Sequence, residues 1–186
     1  TKKSIPVYLK ENIFDPLKMN DTGYNIPKNK LKRLVKLHIY DDQNNLILST
    51  NQPPNSENKL YGGTHGLFST PLDYLRFCQM ILHQGEWNGQ RVLKKKTVAL
   101  LSKNHVAGLY RPPVKGFGYG FAVIMDDTAH REVFRKGQLY WGGYFRTHFF
   151  IDPTNHLVGI WMTQRLPFNN KYEKALKRFV YRALGE

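Results

Sequence analysis

Cysteine is nearly absent from this 186-residue chain, in which Cys78 is the only one. A single thiol excludes an intrachain disulfide and a metal site built from cysteines. Cys78 falls within an apolar helical pattern, which is typical of a buried and unreactive thiol. The seven histidines lack the Glu-flanked spacing of the zinc proteases. The sequence therefore predicts neither a metal nor a cofactor.

Acidic residues are also scarce. The chain has 14 Asp and Glu residues but 28 Lys and Arg residues, which gives a formal charge of +14. A positive field of this size attracts anionic partners such as nucleic acid, acidic lipid or cell-wall polymer. The basic residues are nevertheless spread along the chain, with local runs only at 28–36 and 94–96, and no zinc-finger, RRM or basic-zipper signature accompanies them. An ordinary solvated basic surface is favoured over a specific nucleic-acid site.

Long apolar runs are missing as well. No stretch reaches the length of a bilayer span, and the N-terminal residues lead into an amphipathic pattern that differs from a signal peptide. A hydrophobic content of 41% and an aromatic content of 13% are those of a folded chain. A length of 186 residues suits one core, so residues 1–186 are predicted to form a single domain or a large part of one.

Four amphipathic segments predict helices. The clearest begins after Thr70, which is followed by proline at the first helical position and by Asp73 three residues after the cap, and it ends at Gly85. Apolar residues at helical spacing predict three further helices, at 4–15, 94–102 and 172–184.

Segments rich in β-forming residues fill much of the remaining chain. Leu31–Tyr40 and Leu46–Thr50 flank a polar turn and predict a hairpin. From Gly116 onward, short polar turns separate four predicted strands, at 117–125, 132–138, 144–151 and 157–163. Because strands joined by short turns pair antiparallel, the sequence predicts an α+β fold in which helices pack on an antiparallel meander.

One aromatic segment, 137–153, is predicted to be a strand that ends at Asp152 and Pro153. Gly142 and Gly143 lie within it, although glycine adds backbone entropy and offers no side chain to pack. Two explanations are open from the residues alone. The pair marks a bulge, or it lets another backbone or a ligand lie against the strand edge.

Four blocks of sequence resemble the serine β-lactamase and penicillin-binding-protein-like family, above all its class C and esterase-like branch. Tyr140–Gly143 is similar to the family's third motif, Lys-Thr-Gly or Trp-Gly-Gly, on the strand beside the active site. The other blocks follow the expected order, at 12–24, 62–74 and 116–121. The likeness covers nearly the whole chain but only the later half of the family's domain. It implies part of the β-lactamase/transpeptidase-like fold.

The resemblance implies roles for five residues. Trp141 would line the substrate pocket, and Gly142 and Gly143 would leave room for the acyl group. The backbone N–H of Tyr144 would be a catalytic oxyanion donor, together with the nucleophile's own N–H. Arg146 stands where the esterase-like branch often has a small residue; it would bind a substrate carboxylate, or it is a surface arginine beside the strand.

The family's nucleophile is not evident in this chain. That serine opens a buried helix one turn before a lysine, whereas Ser56, in the Ser-x-x-Lys match of 56–59, follows two prolines and precedes Gly62. The family's Tyr-x-Asn also has no match. The resemblance therefore implies the C-terminal part of a serine hydrolase acting on small ester, amide or β-lactam substrates. Its nucleophile would belong to a missing N-terminal part, and the segment alone is expected to be inactive.

Other readings and partners follow from the same observations. The alternative function is a non-catalytic binding module of the same fold that recognises anionic polymer. Faces that a missing part would cover also allow exchange of elements in a homo-oligomer. The resemblance implies a periplasmic or other extracytoplasmic location.

Overall fold

The computed structural model describes residues 1–109, 115–128, 133–167 and 171–185. The helices in these ranges are α1 (Ile5–Leu9), which continues as a π-helical turn (Lys10–Phe14), a 3₁₀ helix (Lys28–Arg33), α2 (Pro71–Leu82), α3 (Lys95–Ser102) and α4 (Lys171–Ala183). The four predicted helices are confirmed. The cap of α2 forms as expected, because the Asp73 N–H donates to Thr70 Oγ1 at 3.2 Å. No helix in the described ranges is long and apolar enough to cross a bilayer.

Two short hairpins precede a five-stranded antiparallel sheet. The hairpins are β1 (His38–Tyr40) with β2 (Leu46–Leu48), and β3 (Glu86–Trp87) with β4 (Gln90–Arg91). The sheet strands pair in chain order, and they are β5 (Lys115–Phe117), β6 (Ala122–Ile124), β7 (Leu139–Gly142), β8 (His148–Asp152) and β9 (Leu157–Trp161). The predicted α+β arrangement with an antiparallel meander is confirmed.

Several predicted strand bounds are wrong. The run 117–125 is two strands, because the Gly118 N–H donates to Phe121 O at 2.8 Å and turns the chain there. The strand predicted at 132–138 begins outside the described residues, and the rest of it forms turns and irregular backbone. The segment 137–153 is a hairpin with β7 and β8 as its arms, not one strand.

The first hairpin is also shorter than predicted. Its first strand begins only at His38, because the 3₁₀ helix occupies the start of the predicted run from Leu31. β1 joins the main body of the protein through backbone bonds, with the His38 N–H donating to Gln164 O at 3.0 Å. The hairpin therefore extends from the end of the sheet as a fixed ribbon.

The sheet carries one long helix on each face. Phe149 and Ile151 belong to the same apolar core as Cys78 of α2, which is fully buried as the sequence predicts. Side chains alternate between the faces of a strand. Phe150 therefore points the other way, and its ring lies 6.2 Å from that of Tyr181 in α4.

A chain of buried polar side chains joins α4 to the sheet. The Tyr181 hydroxyl donates to Asp152 Oδ2 at 2.8 Å and accepts from Gln138 Nε2. The Gln138 side-chain oxygen in turn accepts from Lys177 Nζ at 2.8 Å. All four side chains are at most 3% exposed, and burial lowers the pKa of Lys177 to about 7. Hydrogen bonds therefore hold α4 in place as well as apolar contacts.

His148, the first residue of β8, lies beside this polar chain. It is 8% exposed, and its Nδ1 is 4.0 Å from Glu173 Oε1. Burial, assisted by the charge of Lys177, lowers the pKa of His148 to about 3. Burial raises the pKa of Glu173. His148 is therefore neutral over most of the acidic range.

We expect Tyr181→Phe to lower the free energy of unfolding by about 1–3 kcal/mol, because it leaves buried groups of Asp152 and Gln138 without their partner. Chemical denaturation measures the difference. Tyr172→Phe is the control on the same helix, since Tyr172 is 44% exposed and its hydroxyl bonds to no described residue. The control should lose less than about 0.5 kcal/mol. Equal losses in the two variants would contradict the role given to the polar chain.

We expect acid destabilisation to depend on His148. The unfolded chain binds a proton there below about pH 6.5, whereas the folded chain binds it only near pH 3, so the free energy of unfolding falls as the pH drops through that window. The raised pKa of Glu173 acts in the opposite direction, and Lys177 adds stability only as the pH rises above about 7. His148→Gln should flatten the fall by up to about 1.4 kcal/mol per pH unit.

Urea denaturation at a series of acidic pH values tests this expectation. His83→Gln is the matched control, because His83 is exposed at the end of α2. The control should keep the native slope, and a native slope in His148→Gln would show that another group governs the acid response.

Candidate active-site edge

Residues 143–147 form a tight turn between β7 and β8. The Gly143 N–H donates to Thr147 O at 2.7 Å, and the Arg146 N–H donates to Gly143 O at 2.9 Å. Arg146 has a φ of +67°, whereas Tyr144 and Phe145 do not have positive φ. This is a type I turn followed by a left-handed residue, a common three-residue hairpin connection. Tyr144 and Phe145, predicted to be in a strand, therefore lie at the hairpin tip.

One side of β7 loses its neighbouring strand before β7 ends. β6 pairs with β7 no further than Tyr140, while β8 pairs with it as far as Gly142. The backbone N–H of Gly143 points towards β8. Because backbone groups of successive residues point to opposite sides of a strand, the N–H and C=O of Gly142 point to the other side, beyond the end of β6. The next N–H, that of Tyr144, donates to no described residue. The edge from Trp141 to Tyr144 therefore carries unpaired backbone groups.

The backbone conformation does not require glycine at either position of the pair. Neither Gly142 nor Gly143 has the positive φ that favours glycine, because the left-handed residue of the turn is Arg146. A Cβ on Gly142 would make only ordinary contacts, the nearest at 3.5 Å from Thr147 O. A Cβ on Gly143 would lie 2.3 Å from the Thr147 side-chain hydroxyl. Backbone conformation thus does not explain Gly142, which favours the second explanation, close approach of another group.

Trp141 lies at the same edge. It is 49% exposed, and its ring meets that of Phe117 edge to face, with 5.0 Å between the ring centres. The Tyr144 side chain is 69% exposed. Apolar surface therefore adjoins the unpaired backbone groups, a combination found in ligand sites. Sequence reasoning missed Phe117, which reaches Trp141 only through the folding of β5 and β6 onto β7.

Arg146 belongs to the same turn but packs elsewhere. It is 3% exposed, so the interpretation as a surface arginine is wrong. Its guanidinium lies 5.4 Å from the ring centre of Tyr172 in α4, and its carbonyl oxygen accepts from Thr163 Oγ1 at 3.0 Å. Trp141 is paired with Phe149 on the opposite, α2 face of the sheet. The structure therefore separates Arg146 from Trp141, and a role for Arg146 in substrate binding stays a prediction.

His148 lies directly across the hairpin from Gly142. Its Nε2 and the Oε1 of Glu173 are buried and form no hydrogen bond with the described residues. Sequence reasoning gave the pair no role. A polar residue at the start of an aromatic strand was the only signal, and burial of His148 depends on α4, which follows later in the chain.

Ser56 does not form the helical Ser-Lys pair that the serine β-lactamase-like family uses for acyl transfer. It lies exposed in a loop, as does Lys59. Without a helix, the three-residue spacing does not place the lysine beside the serine.

Comparison with known proteins identifies the family of the chain. Residues 1–181 match the family model described as Beta-lactamase. Protein Rv1367c of Mycobacterium tuberculosis is 29% identical over 179 residues, covering 87% of this chain and 44% of its own. Lovastatin esterase of Penicillium rubens is 26% identical over 195 aligned positions, covering 92% of this chain and 48% of its own. The chain spans about half the length of the curated relatives that it matches.

A solved structure shows the same fold. EstCE1, a hydrolase with promiscuous acyltransferase activity, superposes with a TM-score of 0.81 at 19% identity, covering 96% of this chain and 51% of its own. Together with the match of the family model along almost the entire sequence, this likeness confirms the β-lactamase-like fold. The chain belongs to the β-lactamase family.

Proposed function

We propose that this chain supplies one wall of the acyl-transfer site of a serine hydrolase, and that the attacking serine comes from polypeptide outside these residues. The observation that carries the proposal is the unpaired N–H of Tyr144 at the bare edge of β7, beside the half-exposed Trp141. A free backbone donor held by a closed turn can bond to a carbonyl oxygen as that oxygen becomes negative. The N–H of the serine itself would be the second donor.

In the proposed reaction, the serine hydroxyl attacks the substrate carbonyl carbon and gives its proton to a base, and the carbonyl oxygen takes up the negative charge. Collapse of this intermediate breaks the bond between the carbonyl carbon and the leaving group. The leaving group takes the proton from the base and departs as an alcohol or amine, and the acyl group stays on the serine. Water then repeats the attack and releases the acid. The Tyr144 N–H stabilises the negative oxygen in both steps, while Gly142 and Gly143 leave room for the acyl group beside the strand.

Esters are the substrates that the available features favour. One relative carries the name lovastatin esterase, and EstCE1 is described as a hydrolase with promiscuous acyltransferase activity. The rings of Trp141 and Phe117 offer an apolar surface for the acyl or alcohol part of an ester. Amides and β-lactams share the same carbonyl chemistry and belong in the same test.

We expect the 186-residue chain alone to turn over neither p-nitrophenyl butyrate nor nitrocefin. A longer product of the same gene should hydrolyse the ester and be labelled by a fluorescent acylating probe, because it would hold the serine and its base. Activity of the isolated chain that Ser56→Ala abolishes would place the nucleophile inside the chain. A longer product that neither reacts nor is labelled would favour the non-catalytic module that binds anionic polymer.

We expect Tyr144→Pro, made in the active product, to lower kcat by about 10²–10³-fold, the effect of losing one oxyanion donor. Proline removes the N–H but suits this position of a type I turn, and the N–H has no partner among the described residues. The turn should therefore persist, which thermal melting followed by circular dichroism checks.

Tyr144→Ala is the matched control for this experiment, because it removes the exposed side chain and keeps the N–H. It should retain a kcat close to the native value. A similar loss in both variants would assign the effect to the tyrosine side chain and contradict the proposed donor.

A further inference from the structure

Arg146 occupies a position in the β7–β8 turn that suits glycine better than arginine. Its φ of +67° is left-handed, a conformation that long L side chains rarely adopt. The left-handed residues Asn44, Asn88 and His156 in other hairpin turns are of types that tolerate this conformation more often. Turn geometry therefore does not explain an arginine here, and the explanation lies with its side chain.

The Arg146 side chain packs against the first turn of α4. It is 3% exposed, and its guanidinium lies 5.4 Å from the ring centre of Tyr172. The Arg165 guanidinium lies 4.9 Å from the same ring centre, and the Trp161 ring is parallel to that ring, with 6.5 Å between the two centres. Tyr172 is therefore the point at which the hairpin tip attaches to α4.

The tip has two further attachments to the body of the protein. The Arg146 carbonyl oxygen accepts from Thr163 Oγ1 at 3.0 Å, and the Phe145 carbonyl oxygen accepts from the Arg165 N–H at 3.2 Å. Phe145 and Arg146 are the two residues that follow Tyr144. Bonds within the turn determine its shape, whereas these outer contacts determine where the turn lies on the protein.

We propose that Arg146 is a positioning residue for the backbone N–H of Tyr144, which it holds in place through Tyr172 without meeting the substrate. This inference rests on the proposed function, in which that N–H is the oxyanion donor. A donor of this kind acts only at hydrogen-bond distance from the negative oxygen, and a misplacement of about 1 Å can cost about a hundredfold in rate. Because the bond strengthens in the transition state, loosening the tip lowers kcat and leaves KM nearly unchanged.

The competing role for Arg146 is direct binding of a substrate carboxylate. That role needs the guanidinium at the substrate edge, whereas Arg146 packs towards α4, on the face of the sheet opposite Trp141. The two roles also differ in their kinetics. A positioning residue affects neutral and anionic esters alike, while a carboxylate ligand affects only the anionic ester.

Arg146→Gly, made in the active longer product, tests the positioning role. Glycine suits the left-handed φ, so the turn keeps its shape while the contact with Tyr172 is lost. We expect kcat to fall by about 10–100-fold for both p-nitrophenyl butyrate and mono-p-nitrophenyl glutarate, with KM changed by less than about threefold. A KM that rises by about tenfold for the glutarate alone would identify a carboxylate ligand and overturn the inference.

Variants of Tyr172 test the route through α4. Tyr172→Ala should lower kcat to a similar extent, and Tyr172→Phe, which keeps the ring, should recover it. The double variant Arg146→Gly with Tyr172→Ala should lose no more than about twofold beyond the larger single loss, because both changes remove the same contact. Losses that multiply would show that the two residues act independently, against the inference.

His156→Gly is the matched control, because it places glycine at an exposed left-handed position in the β8–β9 turn. It should keep the native kcat, and an equal loss in this control would contradict a specific role for Arg146. Thermal melting checks that each variant is folded. If Arg146→Gly does not fold, Tyr172→Ala decides the question, since it leaves every residue of the turn in place.

Tyr144→Pro separates failure of this inference from failure of the proposed function. If Tyr144→Pro lowers kcat and folded Arg146→Gly does not, the positioning role is wrong and the proposed donor stands. If Tyr144→Pro keeps the native kcat, the proposed donor is wrong and the positioning role falls with it. A longer product that turns over neither ester overturns both.

Discussion

The hydrogen bond from the Gly143 N–H to Thr147 O is the contact on which the candidate site depends. At 2.7 Å it closes the β7–β8 hairpin and directs the Gly143 groups towards β8. The neighbouring groups of Gly142 must then point away, to the side where β6 has ended. The donor at Tyr144 is a backbone group, so its direction is determined by the turn and not by a side-chain rotamer.

The rest of the fold serves to hold that turn. The Arg165 N–H donates to Phe145 O at 3.2 Å, and Arg146 is enclosed beneath α4. A left-handed conformation at a residue with a side chain costs about 1–2 kcal/mol. The cation–π contact of Arg146 with Tyr172 acts against that cost, and the polar chain from Asp152 to Lys177 keeps α4 in position.

Local patterns predicted what depends on local physics. The helix beginning after Thr70 follows from its cap and apolar stripe, and the meander follows from short turns between β-rich runs. Strand ends were predicted poorly. The segment 117–125 is split by a turn that contains Gly118 and Gly120. Pairing on one side of β7 ends where β6 ends, and no residue of β7 indicates that position. The burial of Arg146 requires α4, which comes later in the chain, so a local interpretation as a surface residue was wrong.

The anchoring of the hairpin tip has a consequence for how such a protein diversifies. The side chains of Tyr144 and Phe145 project from a turn whose backbone is held by contacts with Thr163, Arg165 and α4. If the edge acts as proposed, selection can exchange the tip residues to suit new substrates while the proposed donor persists. Drift at the distant anchors, by contrast, would displace that N–H without altering any residue at the proposed substrate edge.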